Sequence, residues 1–461
     1  MYLAILIYIS FSWWVAVAGR SQASLFPDST CPVQPGRLSW ASLTALDQHN
    51  PPLDSQCQAS YPDNSTARPQ GNLPVSGPIC VAASDFPDEY CIYTFANFSQ
   101  GRGLSVLASP STISSVVDAS LAFGSSHARL GPPPYFEEQL PGRGKGLVCN
   151  RTILKGQLIL LSTPLFMIQE KAMRDLPELA RLQLQQLSIQ KLPPRSRALY
   201  LDLAVRESRA GAGAEDLEHC SHTVIQMVSG SRNTNYHEQG HFGGDKVEDV
   251  LLTNGFSASL GEARDGFGIV VPEAARLNHD CRPNARFALD PDSLILMVHA
   301  TRVIHAGEEI TFSYIDEKQE FATRQDTIRA NWGFQCSCKL CSGPAHSRAL
   351  SDSRLRRIDI LRRPLLSFDL GRVQGDSLEE ALELVRLYET EALSGALAEG
   401  YMIAAVWHCF WGLEEETRHW AILAVKNWLV WEGSGKANLE MMGRLSRHPH
   451  EQWCWGKKTK I

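Results

Sequence analysis

A chain of 461 residues, 44% hydrophobic and 20% charged, is long enough for two or three domains with cores of their own. That composition excludes a collagenous or wholly disordered polymer. A net charge of −6 argues against a surface built to coat nucleic acid, so no direct nucleic-acid binding is expected. Twelve cysteines are too few for a disulfide scaffold of this length, so their placement carries the information.

Residues 1–19 hold no charge and are strongly apolar. The closing Ala16-Val17-Ala18 predicts a signal peptide over residues 1–18, cut after Ala18. The missing basic flank leaves an uncleaved signal anchor through the same residues as the rival, with membrane anchoring as its consequence. Residues 19–130 read as a low-order, Ser/Pro-rich region. It carries Cys31, Cys57, Cys80 and Cys91, compatible with two disulfides in any of three connectivities, and the glycosylation sequons at Asn64 and Asn97. Ser109–Ser120 and Gly131–Pro134 read as linker.

Domain-like patterning begins near residue 131. Gly142-Arg143-Gly144-Lys145-Gly146 is a tight glycine turn leading into Leu147-Val148-Cys149, and Ile153–Leu160 is a β-rich run with a turn inside it. Residues 170–252 read as a polar helical insertion broken at Pro193-Pro194 and Gly211–Gly213. Its Cys220, His219, His222, His237 and His241 read as a polar loop with surface histidines rather than a metal site. Short strands return at Gly268–Val271, Ala285–Leu289, Ser293–Ala300 and Ile310–Tyr314. Many short strands with one helical insertion predict a mixed α+β domain over 131–316, not alternating β-α units.

A cysteine segment follows at 317–345, and residues 346–461 read as an α-helical domain. There Ser377-Leu378-Glu379-Glu380 is a capping box, followed by an apolar face at Leu378, Ala381, Leu382, Val385, Tyr388 and Ala392. Further helices are expected at 399–412 and 414–432, with loosely ordered chain from Gly433. Stacked helices of this kind are expected to offer a surface to protein partners.

Four thiols stand out. Cys336, Cys338 and Cys341 form C-x-C-x-x-C behind Trp332-Gly333-Phe334, and Cys281 lies in Asn278-His279-Asp280-Cys281-Arg282-Pro283-Asn284. Structural zinc needs four ligands in a closed tetrahedron. The late cluster supplies three, and Cys281 supplies the fourth if the fold returns the tail to the Asn-His segment, building a pocket where they meet.

These segments together resemble the SET-domain protein-lysine methyltransferases. The resemblance runs from Gly142 to Cys341 through the glycine turn, Leu252-Thr253-Asn254-Gly255-Phe256, Asn278–Asn284, Gly307-Glu308-Glu309-Ile310-Thr311-Phe312-Ser313-Tyr314 and Trp332–Cys341. The layout is similar to that of the SET-and-MYND proteins and their fungal relatives, with a split SET fold and a post-SET cysteine tail. No MYND finger is present. The resemblance implies a SET-type fold with a pseudoknot at the Asn-His segment. It also implies S-adenosylmethionine as methyl donor, a protein lysine as substrate, histone or otherwise, and one structural zinc on Cys281, Cys336, Cys338 and Cys341.

Carried over residue by residue, the resemblance implies cofactor contacts at Arg143, Gly144, Lys145, Gly146, Asn254, Asn278, His279 and Phe334. Tyr314 becomes the catalytic residue. Each of these alone has a blander reading. The glycine turn would be an ordinary hairpin, Asn278-His279 a capped turn with a core histidine, and Tyr314 a packing residue with a satisfied hydroxyl. A catalytically inactive SET-fold adaptor is the alternative function. The apolar N-terminus and the reduced thiolates also disagree about compartment. Either two genes are joined in the deduced chain, or the apolar segment is an anchor, or the protein is a secreted member.

Overall fold

The computed structural model describes residues 78–81, 88–120, 132–205, 244–260, 265–369, 377–431 and 436–458. The targeting segment 1–18, Cys31, Cys57, the Asn64 sequon, Gly211–Gly213, Cys220 and the histidines at 219, 222, 237 and 241 lie outside them. Among the described residues, no helix is long and apolar enough to cross a membrane.

The first departure from expectation comes before residue 131. Strands β1 (Ile79–Val81), β2 (Tyr90–Phe95) and β3 (Leu104–Ala108) form one half of a six-stranded sheet, and helix α1 (Pro110–Ser120) replaces the expected linker. The low-order reading of 19–130 is therefore corrected for this stretch. The reason is physical: β2 and β3 are buried on both faces, so they show no alternation of apolar and polar residues. Cys91, Tyr93 and Phe95 enter one core while Tyr90 and Ile92 enter another. Cys80 and Cys91 stand opposite each other across β1 and β2 and are joined in a disulfide.

β4 (Tyr135–Leu140) and β5 (Gly144–Cys149) form a hairpin around the glycine turn. The run expected from Ile153 is split: Gly156 turns at φ +81°, and β6 (Leu158–Ser162) follows. β7 (Phe166–Gln169) pairs parallel with β3 and joins it to the rest of the large sheet. The insertion folds as α2 (Glu170–Asp175), α3 (Glu178–Gln190), α4 (Pro194–Leu201) and α5 (Gly244–Asn254). These helices cover one face of the large sheet, with the Tyr200 hydroxyl donating to the Val247 carbonyl at 2.8 Å.

β8 (Phe256–Leu260) and β9 (Asp265–Val270) complete that sheet in the order β1-β2-β3-β7-β9-β8. β10 (Asn278–His279), β11 (Ala285–Asp290), β12 (Ile295–Ala300) and β13 (Glu309–Phe312) build two smaller sheets, β10-β13-β5-β4 and β11-β12-β6. The second face of the large sheet shares one core with both small sheets, through Leu147, Ile159, Met167, Ala285, Val298 and Ile310. The mixed α+β architecture with its helical insertion is as the sequence predicts.

Helix α6 (Phe321–Trp332) leads into the cysteine loop, and five helices follow. They are α7 (Ala345–Leu366), α8 (Ser377–Thr390), α9 (Leu397–Phe410), α10 (Glu414–Trp431) and α11 (Lys436–Arg447). From Ala398 to Phe410, α9 is buried on every side, as suits an all-round apolar helix at the centre of a bundle. The chain beyond Gly433, expected to be loose, instead forms α11 and buries Met442 and Leu445. A second disulfide, Cys409–Cys454, ties α9 to the segment after it. On α8 the buried positions are Ala381, Leu384, Val385 and Tyr388. The expected face extended to Ala392, but the helix stops at Thr390, Ala392 turns at φ +51°, and Leu393 is buried in its place.

The helical region is tied to the β-domain through Glu391, whose side chain is only 2% exposed. It pairs with Arg282 and Arg354, both at 2.6 Å, and accepts from Ser351 at 2.7 Å. Burial pushes the Glu391 carboxyl up, but the Ser351 hydroxyl and the Arg282 charge outweigh it and hold the group below the ordinary carboxylate value. A depressed folded-state value contributes stability above the unfolded value of about 4.3, and that contribution fades as pH falls through the folded value. Glu391→Gln is therefore expected to lower stability by about 3–5 kcal/mol at pH 7, since it leaves two arginines uncompensated. The deficit should shrink below pH ~4. Urea unfolding of wild type and variant at both pH values checks this, and an equal deficit at both would contradict it.

Candidate active site

The site is assembled where β10 runs parallel to β13, with Asn278 beside Thr311 and His279 beside Phe312. Asn284 secures the same strand farther along. Its Oδ1 accepts from the Thr311 amide at 2.8 Å, and its Nδ2 donates to the Glu309 carbonyl at 2.8 Å. The Asp280 amide donates to the Phe312 carbonyl at 3.0 Å, so the whole Asn278–Asn284 segment is wrapped on β13. Two edge hydrogen bonds from one buried amide side chain fix the register without a continuous ladder.

The glycine turn lies against this segment. Gly142 and Gly144 have φ +68° and +71°, a region that residues with a Cβ rarely adopt. No atom lies within 4 Å of where a Gly144 Cβ would stand, so its backbone is open to approach from outside. A Cβ on Gly146 would stand 2.9 Å from Asn278 Nδ2, which marks the close contact between turn and strand. Arg143 reaches across to the His279 carbonyl at 3.0 Å and pairs with Glu309 at 3.0 Å. Glu309 also accepts from Asn278 Nδ2 at 2.9 Å. The Lys145 side chain turns away, to Asp202 at 2.8 Å and Glu137 at 3.4 Å, and the hydrogen bond to Asp202 raises its pKa. Its carbonyl faces Asn278 at 3.4 Å.

Tyr314 follows β13. Its hydroxyl donates to the Leu277 carbonyl at 3.0 Å, and its amide donates to His279 Nδ1 at 3.0 Å. Its ring lies 5.0 Å from Phe312, 5.1 Å from Trp332 and 5.3 Å from His279, centroid to centroid. Burial in this aromatic cluster pushes the phenol well above its ordinary value. The Trp332 indole is held by the Thr253 carbonyl at 3.0 Å, which links the Leu252–Phe256 segment to the same wall.

His279 is neutral, because burial pushes its pKa down to about 4. Since Nδ1 accepts from Tyr314, the proton resides on Nε2, which points at Cys281 Sγ at 3.3 Å. The tautomer is thereby fixed by the fold. Beside it, Asp280 has its carboxyl pushed up to about 6, by burial first and then by the Cys338 thiolate.

Cys281, Cys336, Cys338 and Cys341 are all buried, and their Sγ atoms lie within 4.8 Å of one another. Cys281 Sγ stands 3.8 Å from that of Cys336 and 3.6 Å from that of Cys341. A zinc tetrahedron with bonds of about 2.3 Å sets its sulfurs ~3.8 Å apart, whereas a disulfide needs ~2.05 Å. The donor set and its spacing therefore fit a metal. Hydrogen bonding among the four sulfurs lowers the Cys338 thiol, to about 5, and that of Cys341, while it raises those of Cys281 and Cys336. Gln325 on α6 holds Cys336 from both sides, accepting from its amide at 3.1 Å and donating to its carbonyl at 2.9 Å.

Thus the turn Arg143–Gly146, Asn278, His279, Tyr314 and the four cysteines come together. Two expected residues stand differently. Asn254 donates to the Ala204 carbonyl at 2.7 Å and the Val250 carbonyl at 2.9 Å, so its amide nitrogen caps α5. Among the described residues it has no hydrogen bond to Asn278, His279 or Tyr314. Phe334 is 39% exposed, and Trp332 is the ring that packs on Tyr314. Glu309, Asn284 and Gln325 are the structural residues that sequence reasoning left without a role. Glu309 and Asn284 both lie inside quoted motifs, and an acid two positions before a strand threonine gives no sign of bridging Arg143 to Asn278.

A family model described as "SET domain" matches residues 144–315. The chain is 37% identical over 94 residues to the histone-lysine N-methyltransferase set5 of Schizosaccharomyces pombe, covering 20% of this chain and 27% of that protein. It is 34% identical over 129 residues to the N-lysine methyltransferase SMYD2-B of Xenopus laevis, covering 28% of this chain and 25% of that protein. The chain thus spans about a quarter of the length of these two relatives. A crystal structure of the SET domain of LSMT bound to lysine and AdoHcy matches at a TM-score of 0.25 and 12% identity, over 65% of this chain and 78% of that one. At that score the likeness carries no weight. The match to the SET-domain model covers residues 144–315, the stretch that contains the glycine turn and the Asn278–Tyr314 junction.

Proposed function

We propose that this protein transfers a methyl group from S-adenosylmethionine to a lysine side chain of a protein, and that Cys281, Cys336, Cys338 and Cys341 hold one structural zinc. The observation that carries the reading is the junction itself: an open glycine turn, Asn278 and the Tyr314 hydroxyl meet beside a four-sulfur cluster. The names of the relatives support a lysine substrate.

The residues fit the proposed cofactor. The open backbone at Gly144 admits an amino-acid moiety, and Asn278, whose Nδ2 is committed to Glu309, keeps its Oδ1 as an acceptor for it. The exposed Phe334 ring is a stacking surface for an adenine. When bound, S-adenosylmethionine supplies an electrophilic methyl on a sulfonium, which becomes a neutral thioether on transfer.

The chain's own part is to present a neutral amine. The rings of Phe312, Tyr314 and Trp332 make a dry wall that disfavours an ammonium, so the lysine sheds its proton to water on entry. Tyr314 gives its own proton to the Leu277 carbonyl, which leaves the phenol oxygen free to accept an N–H and aim the amine lone pair. Burial keeps that phenol protonated, so Tyr314 orients rather than abstracts. His279 is engaged at both ring nitrogens and is not a base.

Two outcomes are expected. Tyr314→Phe should bind S-adenosylmethionine within about twofold of wild type by calorimetry, yet lose transfer to a histone mixture by about 10²-fold. Equal transfer rates would remove Tyr314 from the mechanism. A wild-type chain that binds no S-adenosylmethionine would favour the silent adaptor. Cys338→Ser should fall from about one zinc per chain to near none by elemental analysis. Trp332 emission should also change, because the loop behind it loses its anchor.

A further inference from the structure

Among the described residues, Arg324 stands out as a charged group; it lies in the first turn of α6, about two turns before the helix ends at the cysteine loop. Its side chain is fully buried, at 0% exposure. Nη1 donates to the Gln319 carbonyl at 2.5 Å, while Nε and Nη2 find no acceptor among the described residues. Other well-buried arginines have carboxylates: Arg181 has Glu248, Arg282 has Glu391 and Arg362 has Glu399. Arg324 has no such partner among the described residues. A guanidinium taken out of water against apolar groups or neutral thiols would be strongly destabilising.

Its position on the helix indicates what it faces. Phe321 and Ile328, three residues before and four after, both pack into the cluster formed by the four cysteines, and residues at that spacing share a helix face. The next residue, Gln325, holds the Cys336 backbone. Four thiolates around one divalent cation leave a buried net charge of about −2. The other polar group against the sulfurs is the His279 imidazole, whose Nε2 lies 3.3 Å from Cys281 Sγ.

We infer that Arg324 is the resident counter-cation of the four-cysteine centre, a positioning residue whose buried charge holds the site in its anionic, metal-bearing form. The inference rests on the metal reading of that cluster. In the apo state with neutral thiols, the same arginine is an uncompensated buried charge, so metal loss and loosening of α6 are coupled.

The test uses the full chain, purified with its metal. Zinc content is measured by elemental analysis, and the rate of zinc transfer to a chromogenic chelator is followed in wild type, Arg324→Met, Arg324→Lys and Arg329→Met. Arg329 is the exposed arginine of the same helix. Arg324→Met is expected to release zinc about tenfold faster than wild type or more. Arg324→Lys should recover most of the difference, and Arg329→Met should match wild type. Equal release from Arg324→Met and wild type, or equal release from the Met and Lys variants, overturns the inference while leaving the metal site standing. A wild-type chain with no zinc and four titratable thiols overturns the metal reading instead. If Arg324→Met yields no folded protein, Cys341→His is added to it, which removes one negative charge from the site. Recovery of folded, zinc-bearing protein supports the charge argument, and failure to recover overturns it.

Discussion

The meeting of Cys281 with Cys336 and Cys341 across 3.8 and 3.6 Å is the constraint on which the rest of the site depends. The loop after Trp332 has little apolar burial of its own beyond Cys336, Cys338, Cys341 and the partly buried Leu340. Without that contact, nothing in its composition would return it to β10. A segment so poor in core can be ordered by a metal, since structural zinc contributes about 10–16 kcal/mol in small peptides. Trp332 stands at the mouth of this loop, anchored to Thr253, and so the aromatic wall beside Tyr314 inherits its position from the sulfurs.

Much of this was legible in the sequence, and the exceptions share a cause. The three late cysteines and the Asn278–Asn284 run announced themselves by spacing, because converging thiols and a threaded backbone segment both restrict residue type. The small strands were read nearly in place because each alternates or is bracketed by a turn. β2 and β3 were missed because strands buried on both faces lose the period-two signal, and they stand in a Ser/Pro-rich neighbourhood that dilutes them. Ala392 was assigned to a helical face that ends two residues earlier, since the left-handed turn closing α8 uses no glycine to mark it. The roles of Glu309, Asn284 and Arg324 were invisible for a different reason. Each depends on a partner distant in sequence, and no local pattern encodes that pairing.

The cysteines also divide by how their partners are presented. Cys80 and Cys91 face each other across a strand pair, and Cys409 and Cys454 join a helix to the segment behind it. In both cases two cysteines meet as a pair. The four central cysteines come from two loops and converge as a set, in the manner of ligands and not of pairs.

Finally, the seven residues from Asn278 to Asn284 explain why so short a segment is so demanding in sequence. Asn278 faces the glycine turn and Glu309, and His279 fixes the Tyr314 backbone. Cys281 enters the sulfur cluster, Arg282 pairs with Glu391 of the helical region, and Asn284 secures β13. Asn278 and Asn284 both hold β13, while His279, Cys281 and Arg282 reach Tyr314, the sulfur cluster and the helical region. Because these contacts leave from adjacent residues, a shift of the helical region at Glu391 acts on the neighbour of a sulfur ligand. From there the imidazole of His279 is two residues away, and it bridges Cys281 to the Tyr314 amide. Helical region, sulfur centre and tyrosine are thereby mechanically in series, and the rigidity of one is a condition for the geometry of the others.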